Sequence, residues 1–417
     1  MDSEGEGVIV PIQIMKTAVL LIAGFLLAVP HLSQAAALRV TVQAGEFKRR
    51  DTIVSFNVPA GAREWRRLET ESGGAVPFQV DAEGVGWFVL EELPAGTAKV
   101  FRLRAGAAAE ETVAVKTEGA LVRLSVGGRP VAAYQTTPSE APAGVSAHYR
   151  HGAYLHPVFT PGGRLVTADY PPDHRHQRGI FFAWTHTEFE GRKPDFWNLG
   201  KGTEGKVTAA TEFVAMEQTW SGPVQGGFRS RHRFMDYLAS PPKAVLDERW
   251  SVTAYSVAAS GGNAWLLDLV STQECASASP LKLPKYHYGG LGVRGQAAWD
   301  PVNAVTFLTS NGDGRKAGDA SKANWVHLGG QVAGAPAGLA VLIHPGNFRS
   351  PQPLRLNPQN PQLCVAPSAD GDWEITPGKP YVSRYRFVIA DGPADKVELD
   401  RLWNDYAKPP VVNVALE

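Results

Sequence analysis

Turn punctuation is what most limits the fold of this chain. Glycine and proline account for 43 and 31 of 417 residues and recur between short apolar runs. Helical periodicity is nearly absent. Only residues 394–406, reading ADKVELDRLWNDY after Pro393, space Val397, Leu402 and Trp403 as a helix would. Elsewhere, alternating or continuously apolar stretches stop at Gly, Pro, Asn or Asp, the pattern of an all-β sandwich. No repeat of fixed period and no propeller signature is present.

The chain divides into three parts. Residues 1–37 read as an N-terminal extension and signal peptide. Met15-Lys16 opens a short apolar run to Pro30, and Ala35-Ala36-Ala37 offers small residues for cleavage. The mature protein is therefore expected in the periplasm or outside the cell. No later stretch is apolar enough to span a bilayer. Residues 38–115 carry alternating strands such as Leu38–Val42, Thr52–Phe56, Gly86–Leu90 and Ala98–Leu103, which suggest a small immunoglobulin-like β-sandwich. Residues 116–417 carry longer strands, among them Leu121–Val126, Arg164–Thr167, Ile180–Thr187, Phe228–Tyr237, Ala244–Tyr255, Ala264–Gln273 and Leu339–His344. These suggest a large two-sheet antiparallel β-supersandwich ending in the one helix.

Formal net charge is zero, so nothing points to nucleic acid or an anionic membrane surface as partner. Cys275 and Cys364 are the two cysteines. They leave one disulfide or two buried thiols equally open, and no zinc spacing exists.

Histidine is distributed unevenly. Eight of the eleven lie between His148 and His287, and six of these are His148, His151, His156, His174, His176 and His186. The centre is Asp173-His174-Arg175-His176-Gln177-Arg178-Gly179, preceded by Pro171-Pro172. The prolines exclude a helix and favour extended backbone. His174 and His176 would then project to one side, roughly 7 Å apart. Such a pair suits acid–base work, a divalent metal or a hydrogen-bonded ligand. Downstream, Trp184, His186 and Glu188 would share a strand face, and Asp195, Trp197 and Asn198 would supply a stacking surface with hydroxyl-binding groups. Upstream, His148, Arg150, Tyr154 and His156 would share another, with Arg150 able to clamp a carboxylate. His287, Tyr288 and Arg294 lie in a glycine-rich stretch suited to a far pocket wall.

His156-Pro157-Val158-Phe159-Thr160-Pro161-Gly162-Gly163, the run from Asp173 to Trp184, Pro194-Asp195-Phe196-Trp197-Asn198 and Tyr288-Gly289-Gly290-Leu291-Gly292 together resemble an exported bacterial family labelled PmoA or methane oxygenase, otherwise of unknown function. The likeness covers about 120 to 405. It implies a β-supersandwich loosely related to galactose mutarotase-like domains, in frequent company with polysaccharide-degrading and sugar-oxidoreductase systems. The label itself implies a metal-dependent oxygenase, a reading that the lack of later membrane spans disfavours.

The leading expectation is a carbohydrate-active enzyme, a lyase, hydrolase or epimerase acting on a mono- or oligosaccharide. His174, His176, His287 and Glu188 would be catalytic. His156, Arg150, Gln177, Arg178, Trp184, Asp195, Trp197, Asn198, Tyr288 and Arg294 would bind substrate. No cofactor is required, but a divalent metal on His174 and His176 is open. A non-catalytic glycan-binding protein is the alternative. The oxygenase would need at least three convergent ligands.

Overall fold

The computed structural model of the chain describes residues 37–417, apart from 139, 202–204 and 258. The expected signal peptide lies outside the described residues. The described chain is all-β, as its punctuation implies. Its strands form a small sandwich and a large one made of two eight-stranded antiparallel sheets.

In the small sandwich, a five-stranded sheet faces a three-stranded one. Leu38–Gln43 alternates buried and open positions. Val40 and Val42 thereby meet Leu68, Phe78, Phe88 and Phe101 in a separate core. The strand Val411–Leu416 pairs with Leu38–Gln43 in this sheet. The chain after the helix, read from sequence as part of the large sandwich, therefore returns to the small one.

One large sheet, the back sheet, runs Ala209–Trp220, Gln225–Asp236, Lys243–Tyr255, Ala264–Cys275, Tyr381–Asp391, Ala335–Ile343, Trp325–Val332, Val305–Thr309. The other, the site sheet, runs Leu354–Leu356, Gln362–Val365, Gly290–Arg294, Ile180–Ala183, Tyr154–Val158, Arg129–Gln135, Leu121–Val126, Val113–Glu118. Their facing side chains form one core, including Leu124, Ile180, Trp184, Val293, Phe228, Trp250, Leu269 and Phe387. The helix Lys396–Ala407, capped by Asp395 on the Glu398 amide, packs Leu399 and Leu402 against Trp325, Leu342 and Val388 of the back sheet and Ile53 of the small sandwich.

Three neighbouring strands of the site sheet, Ile180–Ala183, Gly290–Arg294 and Gln362–Val365, are buried at every position. A sheet buried on both faces needs a cover, because neither row of side chains can face water. Long loops supply it, and the His-rich segment is one of them. The expected strand Arg164–Thr167 belongs to this loop region and makes only isolated bridges. The strand from Ile180 stops at Ala183, short of Thr187. His186 and Glu190 adopt positive φ, so the alternation assumed for Trp184, His186 and Glu188 is broken there. Cys275 and Cys364 are free thiols.

A buried polar chain crosses between the large sheets. Tyr134 and Ser230 contact His232 Nε2 at 2.5 and 3.0 Å. His232 Nδ1 donates to Glu248 (2.9 Å), which also accepts from Ser271 (2.5 Å) and Gln273 (2.8 Å). Trp184 Nε1 donates to Gln273 (2.8 Å). Truncating Glu248 removes one acceptor from three buried donors at once. Glu248→Ala should lower unfolding free energy by on the order of 3 kcal/mol or more, the cost of buried unsatisfied donors. Urea denaturation measures this, and a loss under 1 kcal/mol would contradict a structural role for the network.

Candidate functional site

The loop 169–179 is held by two buried arginines. Arg178 is fully buried. It donates to both oxygens of Asp169 (2.5 and 3.1 Å) and lies over the Tyr170 ring, 3.7 Å from its centroid. Gly179 closes the loop. Its φ is +54°, and a Cβ there would sit 2.0 Å from the Leu155 carbonyl oxygen. Glycine is therefore required where the loop enters the sheet.

Arg294 is the second anchor. It is fully buried at the end of its strand. Its guanidinium donates to Asp173 Oδ1 and Oδ2 (2.9 and 3.3 Å), to Gln177 Oε1 (2.9 Å) and to Asp300. Burial alone would raise the Asp173 carboxyl. The Arg294 guanidinium outweighs it, with His174 and Asn360 assisting, and holds Asp173 ionised far below the usual range. The loop between these anchors is not extended. His174 N–H reaches the Pro171 carbonyl (3.2 Å) and Gln177 N–H the His174 carbonyl (2.8 Å), giving consecutive turns. The two imidazoles still meet, edge to face, with centroids 5.5 Å apart.

His174 Nδ1 lies 2.8 Å from Asp173 Oδ2. An ionised carboxylate only accepts, so Nδ1 carries the proton and Nε2 is left with a lone pair. His176 is 2% exposed. Burial, then the neighbouring His174 and Lys201, hold it neutral well below the ordinary histidine value. Burial also lowers His174 and His287.

These rings open on a cavity of about 390 Å³ lined by His174, His176, Gln177, Trp197, Asn198, Lys201, His287, Tyr288, Arg355, Asn357 and Gln362. Seven residues selected from sequence thus converge, from three segments. Asp195 stands behind the wall. It accepts from the Trp197 and Asn198 amides (2.9 and 3.1 Å) and from the Asn198 side chain (2.6 Å), fixing that corner. Asn198 in turn donates to the Tyr288 hydroxyl (3.2 Å). Burial pushes the Tyr288 phenol up to about 12, so it stays protonated. Arg294 supports the pocket from below without lining it.

The other expected site residues lie elsewhere. Trp184 is buried in the inter-sheet core. Arg178 is committed to Asp169, and Arg150 pairs with Glu140 (2.9 Å). His156 bonds Thr167 (2.9 Å), and Glu188 pairs with Lys282 (3.3 Å). Each is engaged by a partner that the sequence pattern does not reveal. Conversely, Lys201, Arg355, Asn357 and Gln362 were not foreseen. Their one sequence signal is the turn-rich stretch Asn357-Pro358-Gln359-Asn360-Pro361. Lys201 Nζ reaches only the Asp173 carbonyl (3.4 Å) among the described residues, whereas Arg355 is paired with Asp319 (2.5 Å). No carboxylate appears among the described lining residues. Among the described residues, no group of three or more His, Cys, Asp or Glu is placed to hold a metal ion.

Fold and pocket together define an all-β protein of a small and a large sandwich, with a polar, imidazole-lined cleft on the outer face of one large sheet. The chain belongs to the family of unknown function DUF6807, whose profile matches residues 121–404. No curated protein matches the sequence. Among solved structures, a protein in glycosyl hydrolase family 38 from Enterococcus faecalis aligns over 92% of this chain and 48% of its own, at 10% identity and TM-score 0.43. An α-mannosidase from Enterococcus faecalis V583 aligns over 91% and 46%, at 10% identity and TM-score 0.41. The chain thus spans about half the length of these two. A galactose mutarotase related enzyme from Lactobacillus acidophilus aligns over 66% of this chain and 97% of its own, at 8% identity and TM-score 0.24.

Acid should weaken the protein. Burial pushes His151 down to about 3 and His176 below its ordinary value. Their contribution is complete above the unfolded histidine value near 6.5. It is lost as pH falls toward the folded values, because the unfolded chain then binds more protons. Asp169 and Asp173, lowered in the folded state, add loss of the same sign below about pH 4. The unfolding free energy from urea denaturation should fall between pH 7 and pH 5, by up to about 1.4 kcal/mol per pH unit for each such histidine. The His151→Asn variant should show a shallower fall. An unchanged slope would contradict this assignment.

Proposed function

We propose that this cleft is the active site of an extracytoplasmic carbohydrate-active enzyme. The favoured reaction begins with proton abstraction from a sugar carbon beside a carboxylate or carbonyl, the step shared by polysaccharide lyases and epimerases. The single observation that carries this reading is the Asp173–His174 pair. An imidazole with Nδ1 fixed on an ionised carboxylate (2.8 Å) presents Nε2 as a base. It does so beside neutral His176, protonated Tyr288 and the cation Lys201, in a cleft of monosaccharide-to-disaccharide size.

In the lyase form, His174 Nε2 takes the proton from the carbon beside the carboxylate. That C–H pair becomes the new carbon–carbon double bond, and the neighbouring C–O bond breaks with its electrons on oxygen. The Tyr288 hydroxyl supplies the proton to that oxygen. Lys201 and Arg355 stabilise the negative charge that develops on the substrate carboxylate. Gln177, Asn198, Asn357 and Gln362 offer amides to ring hydroxyls. Glycoside hydrolysis has less support, because it calls for two carboxyl groups flanking the bond and no carboxylate is among the described lining residues. The oxygenase reading of the methane label lacks three convergent ligands among the described residues.

The test is a screen of uronic-acid-containing oligosaccharides, read by the ultraviolet absorbance of an unsaturated product. Wild type should turn over at least one, and His174→Ala should lose about 10²–10⁴-fold in kcat. Binding without turnover across the panel would favour a glycan-binding protein. Full activity in His174→Ala would remove His174 as the base.

A further inference from the structure

His176 is the wall between two spaces. One side lines the open cleft. The other lines a small internal cavity of about 20 Å³, which Thr211 and His151 also border. Three buried polar atoms around it have no hydrogen-bond partner among the described residues: His176 Nδ1, His151 Nε2 and Thr211 Oγ1. The remaining wall is apolar, with Phe181, Phe196, Trp197 and Leu199. A space of this size holds one water, and about three partners are what a buried water needs.

The geometry points to a single bound water in this cavity that fixes the tautomer of His176, with Nδ1 accepting from the water and the Nε2 proton presented to the cleft. Hydrogen-bond counting selects this arrangement. His151 Nδ1 lies 2.8 Å from the Gly152 carbonyl and must donate to it, so His151 Nε2 is a lone pair. The water therefore gives one proton to His151. If it gave the other to Thr211, the Thr211 hydroxyl proton would have no acceptor in an otherwise apolar cavity. If it gives the other to His176 Nδ1, Thr211 donates to the water and every proton is used. Burial keeps both imidazoles neutral, as this counting requires.

Thr211 thereby becomes a positioning residue, acting on the cleft through a water and an imidazole without touching substrate. His176 becomes a neutral donor, a partner to the base His174 rather than a second base. What the donor does chemically rests on the enzymatic reading above. The tautomer itself does not.

The experiment is ¹⁵N NMR of the histidine rings in the full chain at neutral pH, with signals assigned through His151→Asn and His176→Asn. The wild type should show His176 protonated on Nε2 and bare on Nδ1. In Thr211→Val the water keeps only two of its three partners and is lost, so His176 Nδ1 stays bare but its ¹⁵N signal should move downfield as its lone pair loses the hydrogen bond. Thr211→Ser should keep the wild-type pattern. A wild-type His176 protonated on Nδ1, or a Thr211→Val spectrum unchanged at His176, overturns the proposal. Either result is independent of whether a sugar is turned over.

Discussion

The cleft depends on one buried cation. Arg294 sits at the end of a strand buried on both faces and holds Asp173, Gln177 and Asp300. A guanidinium in such a place is stable only when its fork is filled by acceptors, since an unpaired buried charge is very costly. The requirement works in both directions. Arg294 needs Asp173, and Asp173 can be held at that distance only if the chain turns twice between Pro171 and Gln177. Those turns bring His174 and His176 together and leave Asp173 ionised against His174. The orientation of His174 therefore rests on the Arg294–Asp173 pair, in a loop whose other anchor is Arg178 on Asp169.

The sheet explains why the cleft lies where it does. Ile180–Ala183, Gly290–Arg294 and Gln362–Val365 are buried on both faces. One face meets the back sheet in the main core. The other is roofed by loops that bring their own polar side chains, and the cleft is a gap in that roof. Loops on a rigid sheet are the usual location for such groups.

The sequence displayed much of this. Gly and Pro spacing specified the all-β class, and strands such as Leu121–Val126 are found with the expected bounds. The helix was legible from its apolar spacing and lies at Lys396–Ala407. Histidine clustering pointed to a loop that lines the cleft, although through an extended geometry that the turns replace. Local pattern could not show which polar groups already had partners. Arg178 and Arg294 look alike in sequence, yet one is tied to Asp169 and the other organises the cleft. Glu188 is taken by Lys282, 94 positions away, and Arg355 reaches the cleft beside His287 only through sheet pairing. Long-range pairing decides availability, and residue type alone does not encode it.

The most direct measurement is a crystal structure of the His174→Ala protein, unable to consume its ligand, in complex with a uronic-acid disaccharide. The account predicts a sugar ring in the cleft against Tyr288, its carboxylate within hydrogen-bonding reach of Lys201 or Arg355, and the 173–177 turns unchanged around Arg294. A disaccharide bound elsewhere on the protein, with the cleft unoccupied by sugar, would contradict it.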